Sequence, residues 1–152
     1  MINGMIIKVC GMRSIPNIQE VEALDEIDLM GFIFYPPSPR YISERPYYLP
    51  NKSHRTGVFV NETKETVNQN ANLYELEYIQ LHGNESPEYC LSLHQPGRKI
   101  IKAFSIASAK DLEATELYNN NKVCDYFLFD TKCKEFGEKS EHSLTPNLQD
   151  TT

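Results

Sequence analysis

Three side chains able to move protons stand where apolar, strand-like runs stop. Lys8-Val9-Cys10-Gly11 presents a thiol, Gln80-Leu81-His82-Gly83 an imidazole, and Phe127-Leu128-Phe129-Asp130 a carboxylate. A fourth group, Arg40, follows Tyr35-Pro36-Pro37-Ser38-Pro39, where prolines fix φ and confine the guanidinium to a narrow range of positions. Such a guanidinium is suited to two-point capture of a carboxylate or phosphate. A carboxylate closing an apolar strand is costly to bury unless paired, so Asp130 reads as functional, capping or paired. Each residue also has a structural reading. Cys10 beside Val9 and Gly11 fits a small core position, His82 a hydrogen bond to a loop, Asp130 a turn cap and Arg40 a surface turn. Cys90, Cys124 and Cys133 read as packing or surface thiols.

The elements that must position these groups recur with a regular pitch. Strands are expected over Met5–Cys10, Leu29–Tyr35, Thr56–Val60, Tyr78–Leu81, Ile100–Phe104 and Tyr126–Phe129, several nearly continuous in apolar character, as parallel strands covered on both faces are. Between them lie helix signals: Ile18, Val21 and Leu24 behind Pro16; Val67, Ala71 and Tyr74 after Asn61 as a cap; Tyr89, Cys90 and Leu93 after Ser86-Pro87-Glu88; and a box-like start at Ser108 with Asp111. The segment Ser43 to Pro50 carries two prolines and offers little more than a turn. Strand and helix alternate at about 25 residues, the mark of stacked βα units around a parallel sheet. Cys10, His82 and Asp130 then share the carboxyl end of that sheet, where such folds bind ligands. Periodicity leaves open a (β/α)8 barrel, which needs at least about 200 residues, and an open doubly wound sheet.

The 152 residues carry a formal charge of -6, which disfavours an electrostatic grip on nucleic acid or an anionic membrane. The amino end has neither a basic leader nor a long apolar run, so a cytoplasmic location is expected. Scattered cysteines indicate free thiols and neither a disulfide framework nor a metal site. From Lys134 to Thr152 the large aliphatic or aromatic residues are Phe136, Leu144 and Leu148, which suggests a disordered polar tail without a buried seventh strand. The expected division is residues 1–133 as a partial barrel and 134–152 as the tail.

Six segments carry a family resemblance in order and spacing: Lys8 to Met12, Gly31 to Tyr41, Gly57 to Asn61, Gln80 to Ser86, Ile101 to Phe104 and Leu128 to Asp130. Over residues 5–133 the chain resembles the phosphoribosylanthranilate isomerases of tryptophan biosynthesis. The resemblance implies an incomplete (β/α)8 barrel of TIM type with about six βα units, acting without cofactor as an intramolecular oxidoreductase-type isomerase. The substrate would be a sugar phosphate carrying anthranilate, rearranged by Amadori chemistry. Cys10 would be the general base at the second sugar carbon and Asp130 the general acid at the ring oxygen. Arg40 would hold the anthranilate carboxylate, and His82 would line the same pocket. Free thiols titrate at about 8.5, so such a base needs a field favouring thiolate, whereas the acid needs a low-dielectric pocket to keep its proton.

Members of that family continue past the sixth strand with a glycine-rich loop, an Asp-Trp helix start and two strands whose loops cradle the phosphate. This sequence departs from the pattern at Gly137-Glu138. A shifted reading frame across His142-Ser143-Leu144-Thr145 would, with one choice of codons, restore Gln-Phe-Asp, and resequencing is the check. Six strands would leave two edges, at Met5 and Tyr126, so poor folding and little activity are expected of the chain alone. The alternatives are an inactive barrel fragment needing a partner chain, or an open-sheet binding module.

Overall fold

Six parallel strands lie side by side in chain order. The computed structural model describes residues 1–120 and 122–131 and the backbone of 143–146. The strands are β1 Lys8–Cys10, β2 Leu29–Ile33, β3 His54–Phe59, β4 Tyr78–Leu81, β5 Lys99–Ile106 and β6 Tyr126–Thr131. Helices α1 Ile15–Glu22, α2 Lys64–Tyr74, α3 Pro87–Ser92, α4 Ala109–Glu113 and α5 Glu116–Asn120 fill every connection except that between β2 and β3. This sequential order decides between the two architectures. A doubly wound sheet reverses order at a switch point, whereas stacked βα units in unbroken order are those of a (β/α)8 barrel, here with six parallel strands.

Local chemistry explains where the helices begin. Ser14, Thr63 and Ser86 accept the backbone N–H groups of Asn17, Thr66 and Tyr89 through their hydroxyls. Asp111 reaches back to the N–H groups of Ala107 and Ser108, as its spacing from Ser108 suggested. Thr63, not Asn61, caps α2; Asn61 has φ of 50° and turns its carboxamide oxygen to the Asn84 N–H at 2.7 Å. Leu24 is exposed, because α1 stops at Glu22.

Alternate strand residues face the helices or the concave side. Against the helices, Phe32, Phe34, Phe59 and Tyr74 form the centre of the main core. Phe34 stacks on Phe59 at 5.0 Å and meets Tyr74 edge-on at 4.8 Å. A smaller cluster of Leu29, Ile101, Ala103 and Leu128 lies across β2, β5 and β6.

Two expectations about edges change. Residues Ile2 and Met5 bridge each other across a turn at Asn3 and Gly4, both with positive φ, so β1 begins at Lys8 and not at Met5. A further strand, β7 Ser143–Pro146, pairs antiparallel with β6, so β6 is not an edge. The open N–H and C=O groups of a strand flank accept any extended partner, and pairing needs no apolar side chains to specify it. The rest of the tail expectation, with Cys133, falls outside the described residues.

The helix-free β2–β3 connection is pinned by a buried carboxylate. Glu22 accepts the Tyr48 hydroxyl and the N–H groups of Asn51 and Lys52. Burial alone would raise its carboxyl, but the Tyr48 bond and the two backbone bonds outweigh this and hold it below the usual carboxylate range. That contribution to stability is present above the unfolded value of about 4.3 and is lost as pH falls through the lower folded value. Glu22→Gln should therefore lower the melting temperature at pH 7 by roughly 3 °C. The gap should narrow as pH falls below about 4.3 in a calorimetric series; a gap that stays constant down to acid unfolding excludes the carboxylate as its cause.

Candidate active site

The concave side narrows to one cavity of about 410 Å³. Its polar lining is Lys8 and Cys10 from β1, Arg40 from the loop after β2, Gln80 and His82 from β4 and its end, and Asp130 from β6; Ile33, Val58 and Leu128 add apolar walls. Groups from β1 and β6 share this cavity, so the sheet curls around it. All four residues singled out in the sequence are brought together. Asp130 lies within β6, one residue before its end, not beyond it.

Cys10 is half-buried, and its surroundings are shaped by two glycines. A Cβ at Gly31, its register partner on β2, would stand 2.7 Å from the Cys10 sulfur and 3.2 Å from Lys8 Cε. Gly11 has φ of +83°, and a Cβ there would stand 2.7 Å from Arg40 Cδ. The absence of side chains at these two points lets the thiol and the guanidinium enter the cavity. Arg40 also donates through Nη1 to the Cys10 carbonyl at 3.4 Å, and its backbone N–H donates to Ser38 Oγ at 3.2 Å. These contacts place the guanidinium beside the end of β1.

Lys8 and Gln80 carried no assigned role in the sequence reading. Each stands two residues before a candidate, Cys10 or His82, and period-two alternation would have placed them on the same face. Burial pushes the Lys8 ammonium below the usual lysine range; the charge of Cys10 and a hydrogen bond to it draw it back up, and Arg40 lowers it further. Lys8 Nζ also donates to Gln80 Oε1. Gln80 Nε2 lies 3.4 Å from His82 Nδ1, and His82 Nε2 lies 3.7 Å from Asp130 Oδ2. A continuous line of polar contacts therefore joins Cys10 to Asp130 across the cavity.

The turn carrying His82 rests on a buried ion pair behind the sheet. Lys102 Nζ stands 3.5 Å from Glu85 Oε1, with side chains 3% and 2% exposed. The same ammonium donates to the carbonyls of Gly83 at 2.8 Å and Ala103 at 2.9 Å, and lies 5.0 Å from the Phe104 ring centroid. Glu85 accepts the N–H groups of Gly83 and Asn61, both at 2.8 Å. Cys90 and Cys124 are buried away from this cavity and hydrogen-bond each other, a contact that pulls the Cys90 thiol down and pushes Cys124 up.

A protein-family model described as N-(5'phosphoribosyl)anthranilate (PRA) isomerase matches residues 7–152. The chain belongs to this family. The match runs past residue 133, where the motif resemblance stops. The chain is 53% identical over 133 residues to the N-(5'-phosphoribosyl)anthranilate isomerase of Phocaeicola vulgatus, covering 88% of this chain and 63% of that protein. Identity to the Parabacteroides distasonis protein of the same name is 48% over 142 residues, covering 88% and 62%. The crystal structure of the phosphoribosyl anthranilate isomerase from Thermotoga maritima superposes with a TM-score of 0.71 at 31% identity, covering 89% of this chain and 65% of that one. An isomerase of this family in complex with reduced 1-(o-carboxyphenylamino)-1-deoxyribulose 5-phosphate superposes at 0.67, also at 31% identity, covering 84% and 66%. The chain thus spans less than two thirds of each of these relatives. Family membership removes the reading as an open-sheet module of other ancestry. No helix among the described residues is long and apolar enough to cross a membrane.

Proposed function

We propose that the cavity is the proton-transfer part of a phosphoribosylanthranilate isomerase site, converting N-(5-phosphoribosyl)anthranilate to 1-(2-carboxyphenylamino)-1-deoxyribulose 5-phosphate in tryptophan biosynthesis. The observation that carries this is the meeting of Cys10, Arg40, His82 and Asp130 in one cavity of about 410 Å³. Its size falls within the range of small-molecule sites.

The reaction is an internal redox exchange between neighbouring carbons. Asp130 gives a proton to the ring oxygen as the bond from that oxygen to the first carbon breaks, and the anthranilate nitrogen lone pair forms an iminium. Cys10, as thiolate, takes the proton from the second carbon, giving an enolamine. Reprotonation at the first carbon by the Cys10 thiol, with the hydroxyl proton of the second carbon passing back to the Asp130 carboxylate, leaves a ketone at the second, so the first carbon is reduced and the second oxidised. The Lys8 ammonium is the counter-charge for the sulfur before transfer. Acid and base stand on different strands with different neighbours, which lets one site run both steps. Arg40 grips the anthranilate carboxylate through its planar fork.

The test is conversion of N-(5-phosphoribosyl)anthranilate by the purified chain, alongside growth of an isomerase-deficient bacterium without tryptophan. Calorimetric binding of the reduced product analogue separates loss of binding from loss of chemistry. Neither turnover nor binding would sink the proposal and leave an inactive fragment. Arg40→Lys should lower kcat/KM on the order of tenfold, because an ammonium keeps the charge and loses the two-point contact. Unchanged efficiency would return Arg40 to a surface-turn role.

A further inference from the structure

We propose that Gln80 is a positioning residue that fixes the tautomer of His82, with Lys8 fixing the orientation of Gln80. Only the consequence for catalysis rests on the isomerase reading; the tautomer assignment stands on the contacts themselves.

The argument runs outward from the lysine. An ammonium has donors and no acceptor, so the group that Gln80 turns toward Lys8 Nζ must be its carboxamide oxygen. With Oε1 committed, the amide presents only its NH2 group to His82, and Nε2 meets Nδ1 at 3.4 Å. Nδ1 must then accept. The proton of a neutral imidazole is therefore on Nε2, the nitrogen 3.7 Å from Asp130 Oδ2. The opposite tautomer would set two donors against each other at Gln80.

Gln80 suits this role because it is held on all sides. It is 3% exposed, lies between the apolar neighbours Ile79 and Leu81, and uses both ends of its amide. A glutamine buried in an apolar strand is retained at a cost unless its polar atoms are satisfied. In the isomerase reading, this tautomer places the Nε2 proton on the side of Asp130, 3.7 Å from the carboxyl that must hand its proton to the ring oxygen.

The experiment is a long-range proton–nitrogen NMR correlation on the 152-residue chain labelled with 15N-histidine. The His82 signals are identified among the four histidines by their loss in His82→Asn. The native chain should show protonated Nε2 and bare Nδ1. In Gln80→Glu the new carboxylate accepts at both ends, so His82 should become protonated at Nδ1. Gln80→Leu should lose the single form and give a mixture. A native chain protonated at Nδ1 overturns the proposal without any variant, and so does a Nε2–H form that persists unchanged in Gln80→Glu. Circular dichroism and melting of each variant confirm folding. If the native chain turns over, Gln80→Leu should lower kcat on the order of tenfold with little change in KM. An intact tautomer with no native turnover would count against the isomerase reading alone.

Discussion

In a version of the chain extended to a complete barrel, replacing Cys10 by Ala, or Asp130 by Asn, is expected to lower turnover by about 10²–10⁴-fold, whereas Cys90→Ala leaves it nearly unchanged. Cys10 and Asp130 line the cavity from opposite ends of the polar chain that joins Lys8, Gln80 and His82. Removing the thiol takes away the proposed acceptor for the carbon-bound proton. Asparagine keeps the shape of Asp130 and has no acidic proton to give. Cys90, by contrast, is buried in the main core and hydrogen-bonded to Cys124. Steady-state rates at saturating substrate are the measurement, with analogue affinity as the control for folding. Full activity in Cys10→Ala would remove the proposed base.

The second large effect is on stability. Lys102→Met should destabilise the chain by about 3–5 kcal/mol, because it strands the Glu85 carboxylate and two backbone carbonyls in the protein interior. Its reach extends to the site, since the ammonium binds Gly83 O and Glu85 binds Gly83 N, immediately after His82. The double variant Lys102→Met with Glu85→Gln should recover part of the loss, as neither charge is then left unpaired. Denaturant titration of the single and double variants gives both numbers. A loss below about 1 kcal/mol for Lys102→Met would place the pair among solvent-screened contacts.

Much of the site was legible because chemistry and local pattern coincide at it. Cys10, His82 and Asp130 each close an apolar run, and the prolines before Arg40 announce a stiff turn, so residue type and location agree. Helix starts at Pro16, Ser86 and Ser108 followed local rules that depend on a few neighbouring residues. Lys8 and Gln80 escaped notice because their importance lies in whom they touch across β1 and β4, far apart in sequence. Lys102 sits between Ile101 and Ala103 as a visible oddity, but its partner Glu85 is found only once β4 and β5 pair. Gly31 is another such case, since the space it leaves is filled by a sulfur from the neighbouring strand.

The sequence by itself determined the alternation of strand and helix, the helix-free connection at Ser43 to Pro50, and the four candidate side chains that line the cavity. These follow from short-range rules: side-chain period, proline geometry and capping. Strand order was decided only in three dimensions, because βα units of one pitch can be wound outward from a switch point or laid down in sequence. So were the curl that carries β1 and β6 to one cavity, the antiparallel cover of β6 by β7, and the contacts of Lys8, Gln80 and Lys102. Each of these depends on contacts between residues distant in the chain, and no local pattern encodes which strand will become a neighbour.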